Sequence, residues 1–433
     1  MVVNTIDEAL DWIHSRLKFN IRPGLSRVSA LLELLNHPEN QLSMIHVAGT
    51  NGKGSTVAFV RSIFMKAGLK KVASYTSPFI ETFGERMSIN AQPMPDEKII
   101  DYVNLLQPLV EQLDADEKLT GITEFEIITA MGFKYFADEK VDLAVIEVGL
   151  GGLLDSTNVI NPVVCGITTI GLDHIDILGK TLGEIAAQKA GIIKPGIPVV
   201  LGNIELEALR VIWEVAREKT ARVYQFPYDY RTELEENEHF NFFAGQETLL
   251  NLEKSLVGLH QVENAAMAIE LALVYANKVG ISLSEQAIRA GIREAVWPAR
   301  MEKLGEKPLI LVDGAHNVHA MKRLLENLAS EFPNRNITIL FSAIITKDIS
   351  QMIKMLQTVN HSHLILTTFN YPKALNLSDF KDLEEEGVEL APSFELALVR
   401  AQKNLAQDDI LLITGSLYFS SQVRDYLLKK SMR

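Results

Sequence analysis

Apolar residues gather in short unbroken runs along this chain, at 44–48, 72–75, 143–148, 163–170 and 198–201. Between and after them, apolar positions recur at helical spacing over 57–67, 99–113, 124–136, 182–190 and 205–217. Runs that stay apolar at successive positions predict strands covered on both faces. Their alternation with amphipathic helices predicts a mostly parallel sheet with helices on each side. The stretch 228–251 breaks the rhythm with aromatic and acidic residues and is read as a β-rich excursion, after which helical patterns return at 262–277 and 284–295. Beyond Trp297-Pro298-Ala299-Arg300 a second series opens, with strands at 309–312, 337–341, 363–367 and 410–414 and helices at 316–329, 349–358, 394–402 and 417–428. The expected α/β organisation is therefore a P-loop, mostly parallel sheet domain over 1–296, a linker at 297–300 and a smaller Rossmann-like α/β domain over 301–433.

Candidate chemistry sits where strands end. The first run leads into Gly49-Thr50-Asn51-Gly52-Lys53-Gly54-Ser55-Thr56, followed by a helical pattern. Strand, glycine turn and helix start make a phosphate cradle, in which glycines let backbone N–H groups close on an anion and Lys53 adds a full charge. The spacing departs from the common P-loop, since two residues rather than four separate Gly49 from the Gly52-Lys53 pair. A turn that merely uses glycine would leave the lysine and both hydroxyls accidental. Glu147 closes an otherwise apolar run, and a buried carboxylate needs a partner, either a structural cation or a metal ion facing the cradle. His174, in Leu172-Asp173-His174, follows the next run and is the second candidate ligand. Without a His-Glu-x-x-His motif or a cysteine cluster, and beside a phosphate cradle, magnesium fits better than zinc. Gly149-Leu150-Gly151-Gly152 looks like a dinucleotide fingerprint, but its third glycine would fall at Leu154. Lys189 ends a helix, where it would complement the dipole. Asp313-Gly314-Ala315-His316-Asn317 follows the first strand of the second series and is either a polar site or an N-capped turn.

Composition narrows the classes. The 433 residues are 47% hydrophobic and 22% charged, with formal net charge −13, which suits a globular protein and argues against a nucleic-acid partner. Cys165 is the single cysteine, so no internal disulfide can form. The first residues lack a signal-peptide pattern and no apolar run is long enough to span a bilayer, so a cytoplasmic protein without membrane contact is expected.

With these residues assembled, the chain resembles folylpolyglutamate synthase and its bifunctional dihydrofolate synthase form, in the Mur ligase superfamily. The resemblance rests on the 49–55 cradle, Tyr75-Thr76-Ser77-Pro78, Thr123-Glu124-Phe125-Glu126, 147–152, 172–174, 189–194, 297–300, 313–317 and Thr414-Gly415-Ser416, in that order over nearly the whole chain. It implies an ATP-dependent, ADP-forming amide ligase that adds L-glutamate to a reduced folate and also to dihydropteroate, through an acyl phosphate, acting as a monomer. Asn51, Gly52, Lys53, Gly54 and Ser55 would hold the triphosphate. Asn264, Arg300 and Asp313 would be further ATP contacts, the last two brought by the linker and second domain as it closes on the nucleotide. Ser77, Glu147 and His174 would hold magnesium. Lys189 matches a lysine that the family carbamylates, which would help bind a second magnesium ion. Gly24, Leu25, Ser26, Arg27, Thr123, Glu124, Phe125, Asp155 and Ser156 match substrate-side positions, and His316 would lie near the incoming glutamate.

Two departures from the family pattern concern the substrate, since Leu153 stands where arginine is common and Phe79 where histidine is. A single-function polyglutamate synthase stays open on that ground, as does another Mur-type ligase. A ligase for nucleotide-linked peptidoglycan precursors would be expected to carry a uridine-binding domain before the cradle, where only about 40 residues stand. A GTPase would need an Asn-Lys-x-Asp motif, which Thr346-Lys347-Asp348 does not supply.

Overall fold

The computed structural model describes residues 2–19, 24–79, 82–235, 239–297, 301–345, 349–384 and 387–431. The chain divides into two compact units, Met1–Ser255 with His260–Val296, and Leu256–Leu259 with Trp297–Arg433. The first unit holds an eight-stranded sheet of β1 (Met44–Ala48), β2 (Val72–Tyr75), β3 (Met87–Ile89), β4 (Gln92–Pro93), β5 (Leu143–Glu147), β6 (Val164–Ile167), β7 (Val199–Leu201) and β8 (Val223–Gln225). Its order is β4-β3-β2-β5-β1-β6-β7-β8. The six strands from β2 to β8 in that order are parallel, and β3 and β4 pair antiparallel at one edge. These two edge strands have three and two residues, too few for a hydrophobic pattern to show. The expected strand over 163–170 stops at Ile167, for a reason that lies in the site.

Alternate residues of each strand point to opposite faces. Ala73, Tyr75, Ala144 and Ile146 enter one core with residues of helices Ile6–His14, Ser26–Leu34, Asp96–Asp114 and Glu124–Asp138. On the other face lies helix Lys53–Lys66, whose Arg61 Nη1 donates to Ser74 Oγ at 3.2 Å. Helix His260–Val279 covers that face as well, and a Cβ on Gly166 would come within 2.8 Å of Met267. By the same alternation Glu147 points to the face of helix Lys53–Lys66. That helix begins four residues earlier than its apolar pattern, because Gly, Ser and Thr in its first turn carry no helical signal.

The irregular stretch is an antiparallel sheet, β9 (Tyr230–Leu234), β10 (Phe240–Ala244) and β11 (Glu247–Leu252), in the order β11-β10-β9. Tyr230, Phe240, Phe242, Leu249 and Leu252 are its buried side.

The second unit has six strands, β12 (Glu302–Glu306), β13 (Leu309–Val312), β14 (Ile337–Phe341), β15 (Ser362–Thr367), β16 (Glu389–Ala391) and β17 (Ile410–Thr414), in the order β12-β13-β17-β14-β15-β16. All pair parallel except β12 with β13. Strand β12 reads Glu-Lys-Leu-Gly-Glu and is only partly buried, a polar edge that period-two reasoning passes over. Among the described residues no helix is long and apolar enough to cross a membrane.

Candidate active site

The glycine turn leaves the carboxyl end of central strand β1 and is held by the end of its neighbour β6. Thr50 N donates to the Thr169 carbonyl at 2.8 Å, and Asn51 N to Thr169 Oγ1 at 3.0 Å. Thr168 Oγ1 and Thr169 Oγ1 donate to the Asn51 carbonyl at 2.5 and 3.1 Å. These bonds end β6 at Ile167, since residues 168 and 169 serve the turn instead of a strand. Gly52 sits at φ +85°, and a Cβ there would meet Asn264 Oδ1 at 2.3 Å. Both its backbone region and its close approach therefore require glycine. Asn264 in turn donates to Gln261 Oε1 at 2.9 Å, and Gln261 Nε2 donates to Ser55 Oγ at 3.2 Å. Asn51 Nδ2 is buried without a partner, so one donor in the cradle is unused.

Positive charge converges on this turn. Lys53 Nζ donates to the Gly49 carbonyl at 3.0 Å and the Thr50 carbonyl at 3.3 Å. Lys189 Nζ, 140 residues away in sequence, donates to the same Gly49 carbonyl at 3.0 Å. Lys189 is 4% exposed, so it does more than complement the end of its helix Leu182–Ala190. Burial and then the nearby Lys53 charge push its ammonium down to about 7. Lys53 and an unused amide at a helix start fit a polyanion.

Glu147 ends β5 and is buried, with Oε1 4.0 Å from Lys53 Nζ and Oε2 accepting from Ser77 N at 3.4 Å. The Glu147 carboxylate, the Ser77 backbone and the cradle thus lie together at the ends of β5, β2 and β1, and a carboxylate beside a phosphate cradle suits magnesium. His174 lies in the loop that follows β6. It is 55% exposed, left-handed at φ +48°, and pairs with its neighbour Asp173 at 3.9 Å. Among the described residues no three His, Cys, Asp or Glu side chains group as a metal site.

The substrate-side candidates form a wall between helices Ser26–Leu34 and Glu124–Asp138. Arg27 and Glu126 are a buried pair, with Nε donating to Oε2 at 3.2 Å and Nη2 3.0 Å from Oε1. Thr123 caps the second helix and donates to Glu126 Oε2 at 2.9 Å. Gly24 and Leu25 lead into the first helix, which Ser26 starts. Phe125 lies edge-on to Tyr75, with centroids 6.2 Å apart. Asp155 is buried and accepts from Leu150 N, Thr157 N and Thr157 Oγ1 at 2.7, 3.0 and 2.5 Å. Its burial raises the carboxyl pKa, against these bonds. The chain continues to the fully buried His46, whose Nε2 is 2.9 Å from Thr157 Oγ1 and whose pKa burial lowers to about 3. Ser156 is buried beside Asp155, whereas Leu153 and Leu154 are about half exposed.

In the second unit Asp313 is buried and accepts from Met301 N at 2.9 Å and Ala315 N at 2.8 Å, while His316 Nδ1 is 2.9 Å from the Gly314 carbonyl. Arg300 lies outside the described residues. Sequence reasoning missed Thr168, Thr169 and Gln261. The two threonines carried a signal, because they interrupt an apolar run at the strand end beside the cradle.

Residues 47–272 match the Mur ligase middle domain family, and 299–417 match the Mur ligase, glutamate ligase domain family. The chain is 43% identical over 430 residues to a dihydrofolate synthase/folylpolyglutamate synthase of Bacillus subtilis (strain 168), covering 97% of this chain and 98% of that one. It is 38% identical over 425 residues to a folylpolyglutamate synthase of Lacticaseibacillus casei, with the same coverage. Among solved structures, an FPGS–AMPPCP–folate complex superposes with a TM-score of 0.82 at 36% identity, covering 98% of this chain and 100% of that one.

Proposed function

The chain belongs to the Mur ligase family, in its folylpolyglutamate and dihydrofolate synthase branch, and from that premise we infer that it is an ATP-dependent, ADP-forming ligase that adds L-glutamate to folates. The observation that carries this reading is the cradle itself, with two lysines on one carbonyl beside the Glu147 carboxylate. The relative solved with AMPPCP, a methylene analogue of ATP, and folate supports both ligands.

A carboxylate in water is a poor acyl donor. Its oxygen attacks the γ-phosphorus of ATP, the bond to the β-bridging oxygen breaks, and ADP leaves an acyl phosphate. The glutamate amine then displaces phosphate. Phosphoryl transfer needs positioning and charge neutralisation, which Lys53 and the N–H groups from 52 to 55 would supply. Ser77, Glu147 and His174 would hold a magnesium ion, whose chemistry is to neutralise phosphate charge. Asn264 and Gln261 brace the turn from the covering helix. Asp313 and His316 stay as proposed ATP and glutamate positions.

Three finer points belong to the same reading. Lys189, losing a proton to solvent, would take up carbon dioxide as a carbamate, whose oxygens would help hold a second magnesium ion. Its depressed pKa supports this, because the neutral amine is the nucleophile. Dihydropteroate is also a substrate, supported by the bifunctional Bacillus relative and weakened by Leu153. The enzyme is a cytoplasmic monomer, the oligomeric part of which sedimentation decides. The deciding experiment supplies pure protein with ATP, magnesium and glutamate, offers a reduced folate and dihydropteroate in turn, and follows ADP and product mass. Release of ADP with neither acceptor extended would refute the reading.

A further inference from the structure

Strand β1 is apolar except for His46, which is fully buried and stands between Ile146 and Cys165 of the neighbouring strands. A chain of hydrogen bonds runs outwards from it. His46 Nε2 is 2.9 Å from Thr157 Oγ1, Thr157 Oγ1 donates to Asp155 Oδ1 at 2.5 Å, and Leu150 N donates to Asp155 Oδ2 at 2.7 Å. Proton counting fixes the directions. Both Asp155 oxygens accept, and the single Thr157 hydroxyl proton goes to Asp155, so Thr157 Oγ1 accepts from His46. The imidazole proton therefore sits on Nε2 and leaves Nδ1 as a bare acceptor, which is the His46 atom buried without a partner. Burial, and then nearby Lys194, keep the ring neutral. The chain ends on the 149–152 loop, which leaves β5 two residues after Glu147. A Cβ on Gly149 would come within 2.4 Å of the Phe125 ring, and Leu153 N, just past the loop, donates to the Gln188 carbonyl at 2.7 Å. The loop is thus a strip of backbone between the wall at Phe125, the Glu147 carboxylate and the helix that carries Lys189.

We propose that His46 is a positioning residue for the folate acceptor, holding the 149–152 loop in place through Thr157 and Asp155, an inference that rests on the folate reading above. His46 is itself fully buried and acts only through Thr157. An apolar side chain at 46 would fill the space but remove the donor that fixes the Thr157 hydroxyl, and Asp155 would then hold Leu150 N less firmly. His46 also stands three residues before Gly49, on the strand that launches the cradle. A purely local disturbance at 46 would therefore reach ATP first. The hydrogen-bond chain leads instead to the acceptor side, so the two accounts predict opposite splits between the ligands.

The test measures two affinities by calorimetry, for AMPPCP with magnesium and for a reduced folate added after it. The samples are full-length wild type, His46→Leu, His46→Gln, Thr157→Val, Thr157→Ser and the double variant His46→Leu/Thr157→Val. His46→Leu and Thr157→Val should each weaken folate about tenfold, the loss of one hydrogen bond, and leave AMPPCP within about twofold. His46→Gln, whose amide N–H can replace the imidazole donor, and Thr157→Ser should stay within about threefold of wild type. The double variant should bind folate no more weakly than the weaker single variant, because the two residues act in series. Equal losses for folate and AMPPCP, a silent Thr157→Val, a His46→Gln no better than His46→Leu, or additive losses in the double variant overturn the proposal. If His46→Leu does not fold, the Thr157 pair decides alone. A wild type that binds no folate overturns it as well. A wild type that shows the expected pattern yet adds no glutamate would sink the ligase reading and leave this one standing.

Discussion

Replacing Lys189 by methionine should make the protein more stable and inactive at once. The side chain is 4% exposed, and burial beside Lys53 lowers its pKa from 10.5 to about 7. Between those values the unfolded chain holds a proton that the folded chain has released, so stability rises with pH through that window. Below pH 7 the folded protein carries the full cost of a buried charge. At 1.36 kcal/mol per pKa unit that cost is about 4–5 kcal/mol, against which the hydrogen bond to Gly49 returns about 1 kcal/mol. Lys189→Met should therefore gain about 3–4 kcal/mol at pH 6.5, and the gain should shrink towards zero by pH 10.5. Urea unfolding of both proteins at pH 6.5, 8 and 10 in carbon dioxide-depleted buffer reads this directly. Ligation of glutamate to a reduced folate, measured on the same samples, should be absent in the variant. A variant less stable than wild type at pH 6.5, or a difference that does not change with pH, would refute the burial argument.

Lys53→Ala should abolish turnover while circular dichroism and the urea midpoint stay near wild type, and near-normal ligation would overturn the cradle assignment. Thr169→Val removes the hydroxyl that accepts from Asn51 N and donates to its carbonyl. Two bonds at about 1 kcal/mol each predict a KM for ATP raised about tenfold or more with the KM for folate unchanged, and equal effects on both would argue against a local brace. Glu270 has the opposite sign to Lys189, because burial and then Asp229 raise its pKa to about 7. Stability attached to that group is lost as pH rises from 4.5 to about 7, so Glu270→Gln should stabilise by about 2–3 kcal/mol at pH 8 and by nothing at pH 4.5. Urea unfolding at the two pH values would show an equal gain if the carboxyl were not the cause.

Much of the architecture was legible along the chain. Runs such as Leu143-Ala144-Val145-Ile146 are apolar at every position because both sheet faces are covered, and that is a local property of composition. The cradle was legible too, since glycine at a positive φ before a lysine and a helix is a constraint that three neighbouring residues satisfy. Strands β3 and β4 were not, being too short to alternate, and β12 was hidden by its exposed charges.

What the sequence by itself determined was the list of polar residues standing at strand ends, and the anion chemistry of residues 49–55. Only the tertiary structure decided which of those residues are spent on holding the protein together. Arg27 pairs with Glu126, Asp155 accepts from Thr157 and Leu150, and His174 is more than half exposed beside Asp173. Lys189 moves the other way, from a helix-end lysine to a buried base on Gly49. The physical reason is distance along the chain. Arg27 meets its partner 99 residues away and Lys189 meets its own 140 away. No local pattern records which remote group will satisfy a buried charge, whereas hydrogen bonding and desolvation make that pairing decide its state.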